Sequence, residues 1–539
     1  METEPETTAN IKWHGKWTYF SVPPNMQQRS KEIIQEFFQV TPIHCVRYFA
    51  NNNSKYIEKI WWLTVFLTST YLCTSYIVEV IGKWKLNPII VTFDQQPASI
   101  YTIPFPAVTV CPETKVKSSQ FKFTEAFELV RSGQLNESTD AEKVKNVLAL
   151  LQLCDHNLYD RNEEPYDNEI LKRLRKMSIP SFEVFNTCHW KGYQTECLKM
   201  FRNSLTERGF CYTFNSLANN DIMKTRELHS TSSFNSETRH SDWSLDSGYR
   251  VGVGSNAFPL RVSIGGYHGS LGMSLVVNKS DIDYLCGDSF QGYKVMLHMP
   301  NELPQMSHQF FRVPLDTELT VAITPQVMLT GKRAETYSPQ KRHCYYSNER
   351  KLRYFQIYTE KNCEAECLAN YTLDMCECVR FSMPRSQNTP ICTLHDSPCY
   401  QKAVYQMLKY ETIDGEQEKE HLGTCNCMPA CNDIVYQTQI SQAPWNWQNG
   451  TVFSYMEKQF EKDEVHQSKV IIYFKETQFI PLRRTEIIGV SEMIASCGGL
   501  MGLFLGVSIV SLVELVYYIT LKPVLIWMGH SSLITDNVI

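Results

Sequence analysis

Two long apolar stretches without a charged residue stand far apart in this chain, Ile60 to Val78 and Met493 to Val513. A hydrocarbon core of about 30 Å takes about 20 apolar residues as helix, so each is long enough to cross a bilayer. The second pattern resumes after Glu514 and runs to Leu521. The rest of the chain must fit around these two spans. Predicted boundaries are an N-terminal segment 1–59, a first transmembrane helix 60–82, a large middle region 83–485, a second transmembrane helix 486–521 and a tail 522–539. Residues 95–112, 262–278 and 434–456 also lack charge, but polar residues with Pro or Gly interrupt each, so they are expected outside the bilayer.

Cysteine fixes which side the middle region is on. Of 19 cysteines, 16 lie between Cys111 and Cys431, and only Cys45, Cys73 and Cys497 fall outside. An even, dense set reads as a disulfide framework made in an oxidising compartment. The middle region is therefore expected outside the cell, with both termini cytoplasmic and the protein multi-pass in the plasma membrane. Sequons at Asn136, Asn278, Asn370 and Asn449 agree and are glycosylation candidates. Met1 to Asn10 is polar and acidic, without a signal-peptide core, so the first span serves as an uncleaved anchor.

Within the block, Cys363 and Cys367 stand four apart on a predicted helix, Lys361 to Tyr371, and share one face. Cys425 and Cys427 stand two apart and share one face if extended. A helix and a strand so arranged could form a ladder of bridges. Cys376 and Cys378 with Cys392 and Cys399 could close a smaller set, and Cys344 with Cys431 the outside. Cys111, Cys211, Cys188 and Cys197 are further disulfide candidates, while the pairing of Cys154 and Cys286 stays open. Spacing alone fixes no connectivity, and the Cys-rich runs at 376–378 and 425–431 also resemble thiolate metal clusters. Val108 to Val110 and Val470 to Phe474 read as buried strands, and Leu228 to Ser247 as an exposed Ser- and Thr-rich loop.

Gly498, Gly502 and Gly506 recur every fourth residue in the second span, and with Gly499 they leave a bare face suited to close helix packing. Glu514 deep in a span costs roughly 2.5–3.5 kcal/mol on insertion scales and usually faces water or a partner, so it is read as a pore charge. Gly506 and Glu514 are about 80° out of line on a straight helix. Both line one pore only if the helix breaks near Gly506, where freed carbonyls would serve as ion ligands.

The run Gly499 to Tyr518 resembles the second membrane helix of the degenerin/epithelial sodium channel family. Phe105 to Glu113, Cys211 to Asn215 and the block Cys344 to Cys431 match that family in order, and the style is most similar to its insect pickpocket branch. The resemblance implies two membrane helices flanking a disulfide-rich α+β extracellular domain with a β-rich core, assembled as a trimeric channel. It implies Gly506, Val507 and Ser508 as selectivity filter and sodium ions and amiloride-type blockers as ligands. It also implies a homo- or hetero-trimer of related subunits, with voltage-independent gating through the outer domain. His44, Cys45, Ala495 and Ser496 are gating candidates. His44 matches the histidine of a His-Gly pair, Cys45 departs from its glycine, Ala495 matches a site where bulk holds the pore open, and Ser496 stands where acid-gated relatives carry an acid. The alternative is a non-conducting or accessory receptor subunit on the same fold.

A net charge of −5 and no basic run interleaved with aromatics exclude a nucleic-acid partner. No nucleophile or metalloprotease signature occurs in the middle region, so no enzymatic activity, cofactor or metal is expected.

Overall fold

The computed structural model describes residues 24–50, 55–86, 88–154, 169–224, 239–254, 256–285, 290–412, 425–449 and 464–527. The chain divides into two compact units, one of residues 1–88 with 486–539 and one of 89–485.

In the first unit the only continuous helix long and apolar enough to cross a membrane, among the described residues, is Tyr56–Leu86. It overruns the predicted 60–82 at both ends. Its many threonines suit an apolar setting because their hydroxyls donate back to carbonyls four residues earlier. Thr64 bonds Ile60 at 2.9 Å and Thr68 bonds Thr64 at 2.8 Å. The second predicted span is not one helix. It is two, Val490–Leu505 and Ile509–Val516, the latter continuing through a π-turn Tyr517–Leu521 into Lys522–Trp527. The two halves are bent by 73°. Tyr76 stacks on Phe504 at 5.9 Å between centroids, tying the first half to the long helix.

The second unit is rich in strands. One sheet runs Ile89–Phe93, Leu482–Glu486, Thr317–Thr330, Val465–Phe474, Leu271–Asn278, Phe185–Trp190, Tyr193–Thr195, with Asp433–Pro444 also paired to Thr317–Thr330. A five-stranded antiparallel sheet runs Phe311–Pro314, Gly292–His298, Ala107–Pro112, Gly209–Phe214, Phe201–Thr206. The strands Ala107–Pro112 and Val465–Phe474 carry β-branched and aromatic residues that fit a pleated, buried surface. Phe105 joins the sheets in one core, meeting Trp190, Phe214 and Phe474 edge-on at 5.0, 6.1 and 5.5 Å. The helices Phe123–Arg131, Glu137–Leu151 and Ile170–Met177 bury a separate cluster with Phe381, Ile391 and Leu394.

Among the described residues seven disulfides join pairs in this unit: Cys111–Cys211, Cys188–Cys197, Cys344–Cys431, Cys363–Cys427, Cys367–Cys425, Cys376–Cys399 and Cys378–Cys392. Cys154 is also disulfide-bonded, and Cys286 lies outside the described residues. The cysteines of both suspected metal runs are thus oxidised, which leaves no thiolate there to ligate a metal.

Two sequence expectations are corrected. Cys425 and Cys427 do not lie on a strand. Asn426 between them is left-handed at φ 43°, and Arg350 donates to the carbonyls of Cys425 and Asn426, so no strand forms there, although the expected nested pair of bridges does. The bridges instead join an irregular segment to the helix Glu360–Cys376. The loop expected over 228–247 ends in structure: Trp243–Ser244 pairs with Gly248–Tyr249, and Trp243 is buried in the central core. Residues 228–238 lie outside the described residues.

Candidate functional site

The break in the second apolar segment is set by two residues. Gly506 closes the helix Val490–Leu505 at φ 70°, a left-handed cap that glycine adopts without a Cβ clash. Ser508 opens the next helix: its hydroxyl accepts from the Ser511 amide at 3.2 Å, and the Ser511 hydroxyl accepts from the Ser508 amide at 3.2 Å. Between these caps the carbonyls of Gly506 and Val507 accept no backbone hydrogen bond among the described residues. Unpaired carbonyls in an apolar segment are costly unless they face water or an ion.

The N-terminal segment docks on this break. After the helix Pro24–Val40 the chain turns at 41–45, and the His44 amide donates to the Leu505 carbonyl at 2.9 Å. A Cβ on Gly506 would lie 2.9 Å from both His44 Nε2 and the Pro42 carbonyl oxygen. Glycine is therefore required twice, by φ and by space. Cys45 sits at φ 69°, so the left-handed turn is made without glycine, at a cost of about 1–2 kcal/mol. Farther along, Lys522 Nζ pairs with Glu36 Oε1 at 2.5 Å and Phe37 meets Tyr518 edge-on at 5.3 Å.

Other predicted positions are apart from this cluster. Glu514 lies on Ile509–Val516, half-buried, with no hydrogen bond or ion pair among the described residues. Ala495 and Ser496 are exposed on Val490–Leu505. A Cβ on Gly498 or Gly499 would meet nothing within 4 Å, and one on Gly502 would meet only the Val507 carbonyl oxygen at 3.9 Å. The glycine face expected to pack a helix is thus open among the described residues, while Phe504 stacks on Tyr76 of the long helix. Asn136 is exposed and caps the helix Glu137–Leu151, accepting from the Ser138 and Thr139 amides. Asn278 is half-buried and donates to Asp281 at 3.1 Å, and Asn370 is half-buried within Glu360–Cys376. Asn449 ends a short turn, its side chain outside the described residues.

Sequence reading missed Pro42, Leu505, Glu36, Lys522 and Ser511. Only Ser511 left a local signal, the Ser-Xaa-Xaa-Ser spacing of a helix start.

Residues 37–518 match the family described as "Amiloride-sensitive sodium channel". The chain belongs to the amiloride-sensitive sodium channel family. Among relatives of this family, Pickpocket protein 28 of Drosophila melanogaster is 26% identical, over 92% of this chain and 79% of its own length. Sodium channel protein Nach of Drosophila ananassae is 21% identical, over 90% and 86%. Human Acid-sensing ion channel 2 is 23% identical, over 90% and 86%. The resemblance to the pickpocket branch is therefore borne out. A solved proton-activated chloride channel superposes with a TM-score of 0.27 at 8% identity, over 87% of this chain and 96% of that one, too slight a likeness to bear on the argument. As a member of the amiloride-sensitive sodium channel family the chain is a cation channel subunit of degenerin type, not an enzyme.

Proposed function

We propose that this subunit forms, with two identical or related copies, a sodium-selective, voltage-independent channel blocked by amiloride and gated through its extracellular domain. The break at Gly506, Val507 and Ser508 carries this reading. Two unpaired carbonyls, repeated around a ring of subunits, supply oxygen ligands for a partly dehydrated ion. Glu514 adds fixed negative charge that concentrates cations. The disulfide-rich unit faces the outside of the plasma membrane, and both termini are cytoplasmic.

Whole-cell current from this chain alone, with sodium exchanged for potassium and amiloride added, tests the reading alongside Ala495→Phe. A sodium-selective, amiloride-blocked current in the variant is the expected result. Silence in both, with surface labelling positive, rejects a self-sufficient channel. One observation favours the second reading, an accessory subunit: Cys45 occupies a left-handed position that suits glycine. Cys45→Gly then restores current.

A further inference from the structure

A cavity of about 290 Å³ opens in the second unit beside the strand Gly292–His298, the first turn of Glu360–Cys376 and the start of Asp433–Pro444. Met296, Leu303, Ile434 and Tyr436 give it apolar walls. Three carboxylates line it as well, Glu302, Glu360 and Asp433, and Glu302 is only 8% exposed.

Their charge is under-compensated. Lys361 lines the cavity but pairs with Glu364 at 2.8 Å. Arg484 acts on Asp433 and Glu360 from a position where it also donates to the Ala430 carbonyl. His298 is committed to Thr109 and the Met299 carbonyl, and His308 is exposed at the rim. Three lining carboxylates thus share Arg484 and a Lys361 already paired with Glu364. Glu302 accepts from the Met299 amide at 3.4 Å and from the Thr359 hydroxyl. Burial, with Asp433 adding to it, pushes the Glu302 carboxyl up to about 8, and burial raises Asp433 too.

The guest that answers such a site is a cation, and the geometry selects its kind. Among the described residues, these three carboxylates do not all bring oxygens within 4.8 Å of one another. They do not converge on a point, as a metal ion demands. We propose that this cavity binds a small organic ammonium, its charged end held by Glu302 and Asp433 and its apolar body against Met296, Leu303 and Tyr436. The volume is at the low end of small-ligand sites, about 300–1,000 Å³, and admits a single-ring amine. The bound ammonium takes the place of the proton on Glu302.

The test is a titration of the full chain in lipid nanodiscs by saturation-transfer NMR, with phenethylamine as probe and 2-phenylethanol as its uncharged counterpart. Saturable phenethylamine binding is expected, with the alcohol at least about tenfold weaker. Glu302→Gln and Asp433→Asn should each weaken phenethylamine about tenfold or more. Gel filtration and melting check the fold of both, and either folded variant decides. Equal binding of the alcohol, no saturation at about 1 mM, or unchanged binding in the folded variant overturns the proposal. The readout is binding, not current, so a silent channel leaves this site standing and a failure here leaves conduction untouched.

Discussion

His44 and Gly506 meet at the break of the second apolar segment: the His44 ring fills the space that any side chain on residue 506 would need, its Nε2 2.9 Å from that position. A residue ahead of the first long helix thereby controls the geometry of a turn that lies more than 400 residues later in the chain.

Gly506→Ala should disrupt this turn. A left-handed φ and the clash with His44 and Pro42 together cost about 1–3 kcal/mol. Current at unchanged surface expression should fall about tenfold or more. Adding His44→Ala should restore it only in part, since the Pro42 carbonyl stays where it is. Wild-type current in the single variant would show that the contact is not made.

Cys45→Gly should relieve its φ of 69° and stabilise the turn by about 1 kcal/mol, whereas Cys45→Val should weaken it. Exposed Arg47 is a convenient reporter. Limited trypsin cleavage there should slow in the glycine variant and quicken in the valine one. The reverse order would contradict the left-handed conformation.

Glu36 and Lys522 are only 20% and 11% exposed in their side chains, so the pair is less screened than a surface bridge. Glu36→Lys and Lys522→Glu should each speed trypsin cleavage at exposed Lys31, and the double exchange should slow it again. A coupling of about 0.5–3 kcal/mol is expected from the cycle. Additive effects would mean that the two charges do not interact.

The pH dependence of stability should carry two opposite contributions. Folded Glu302 keeps its proton up to about pH 8, against 4.5 for an ordinary glutamate, mainly through burial. Between those values the folded state binds more protons, so stability falls as pH rises. His298 is buried, its Nδ1–H donating to the Met299 carbonyl and its Nε2 accepting from Thr109, and it stays neutral down to about 4 against 6.5. Its share of stability is lost as pH drops below 6.5. Glu302→Gln should lessen the slope of the melting temperature between pH 6.5 and 8, where of these two groups only Glu302 acts. His298→Gln should lessen the loss below 6.5. Curves parallel to wild type in both variants would refute the assignments.

Much was legible along the chain because it rests on local chemistry. Apolar run length marked both apolar segments, cysteine density marked a stapled unit, and β-branched runs marked the strands Ala107–Pro112 and Val465–Phe474. The helix Glu360–Cys376 was visible in its Glu, Ala and Leu content and proved longer at both ends than the predicted 361–371. Cys425 and Cys427 misled because a spacing of two suits a strand but does not require one. A left-handed Asn426 and the reach of Arg350 kept the segment off a strand, yet both cysteines still bridge the helix as a nested pair. Trp243 misled in the other direction: its Ser- and Thr-rich neighbours suggested exposure, yet one indole buried in a distant core was enough to pin the segment.

By itself the sequence determined the two apolar segments, the oxidised middle region and a glycine-serine step able to interrupt a helix, since each depends on residues within one or two turns of each other. Only the tertiary structure decided that His44 packs on Gly506, that Glu36 reaches Lys522, and that Glu302, Glu360 and Asp433 share one cavity. Those partners are separated by tens to hundreds of residues, and no local periodicity records which distant backbone a folded chain will bring within 3 Å.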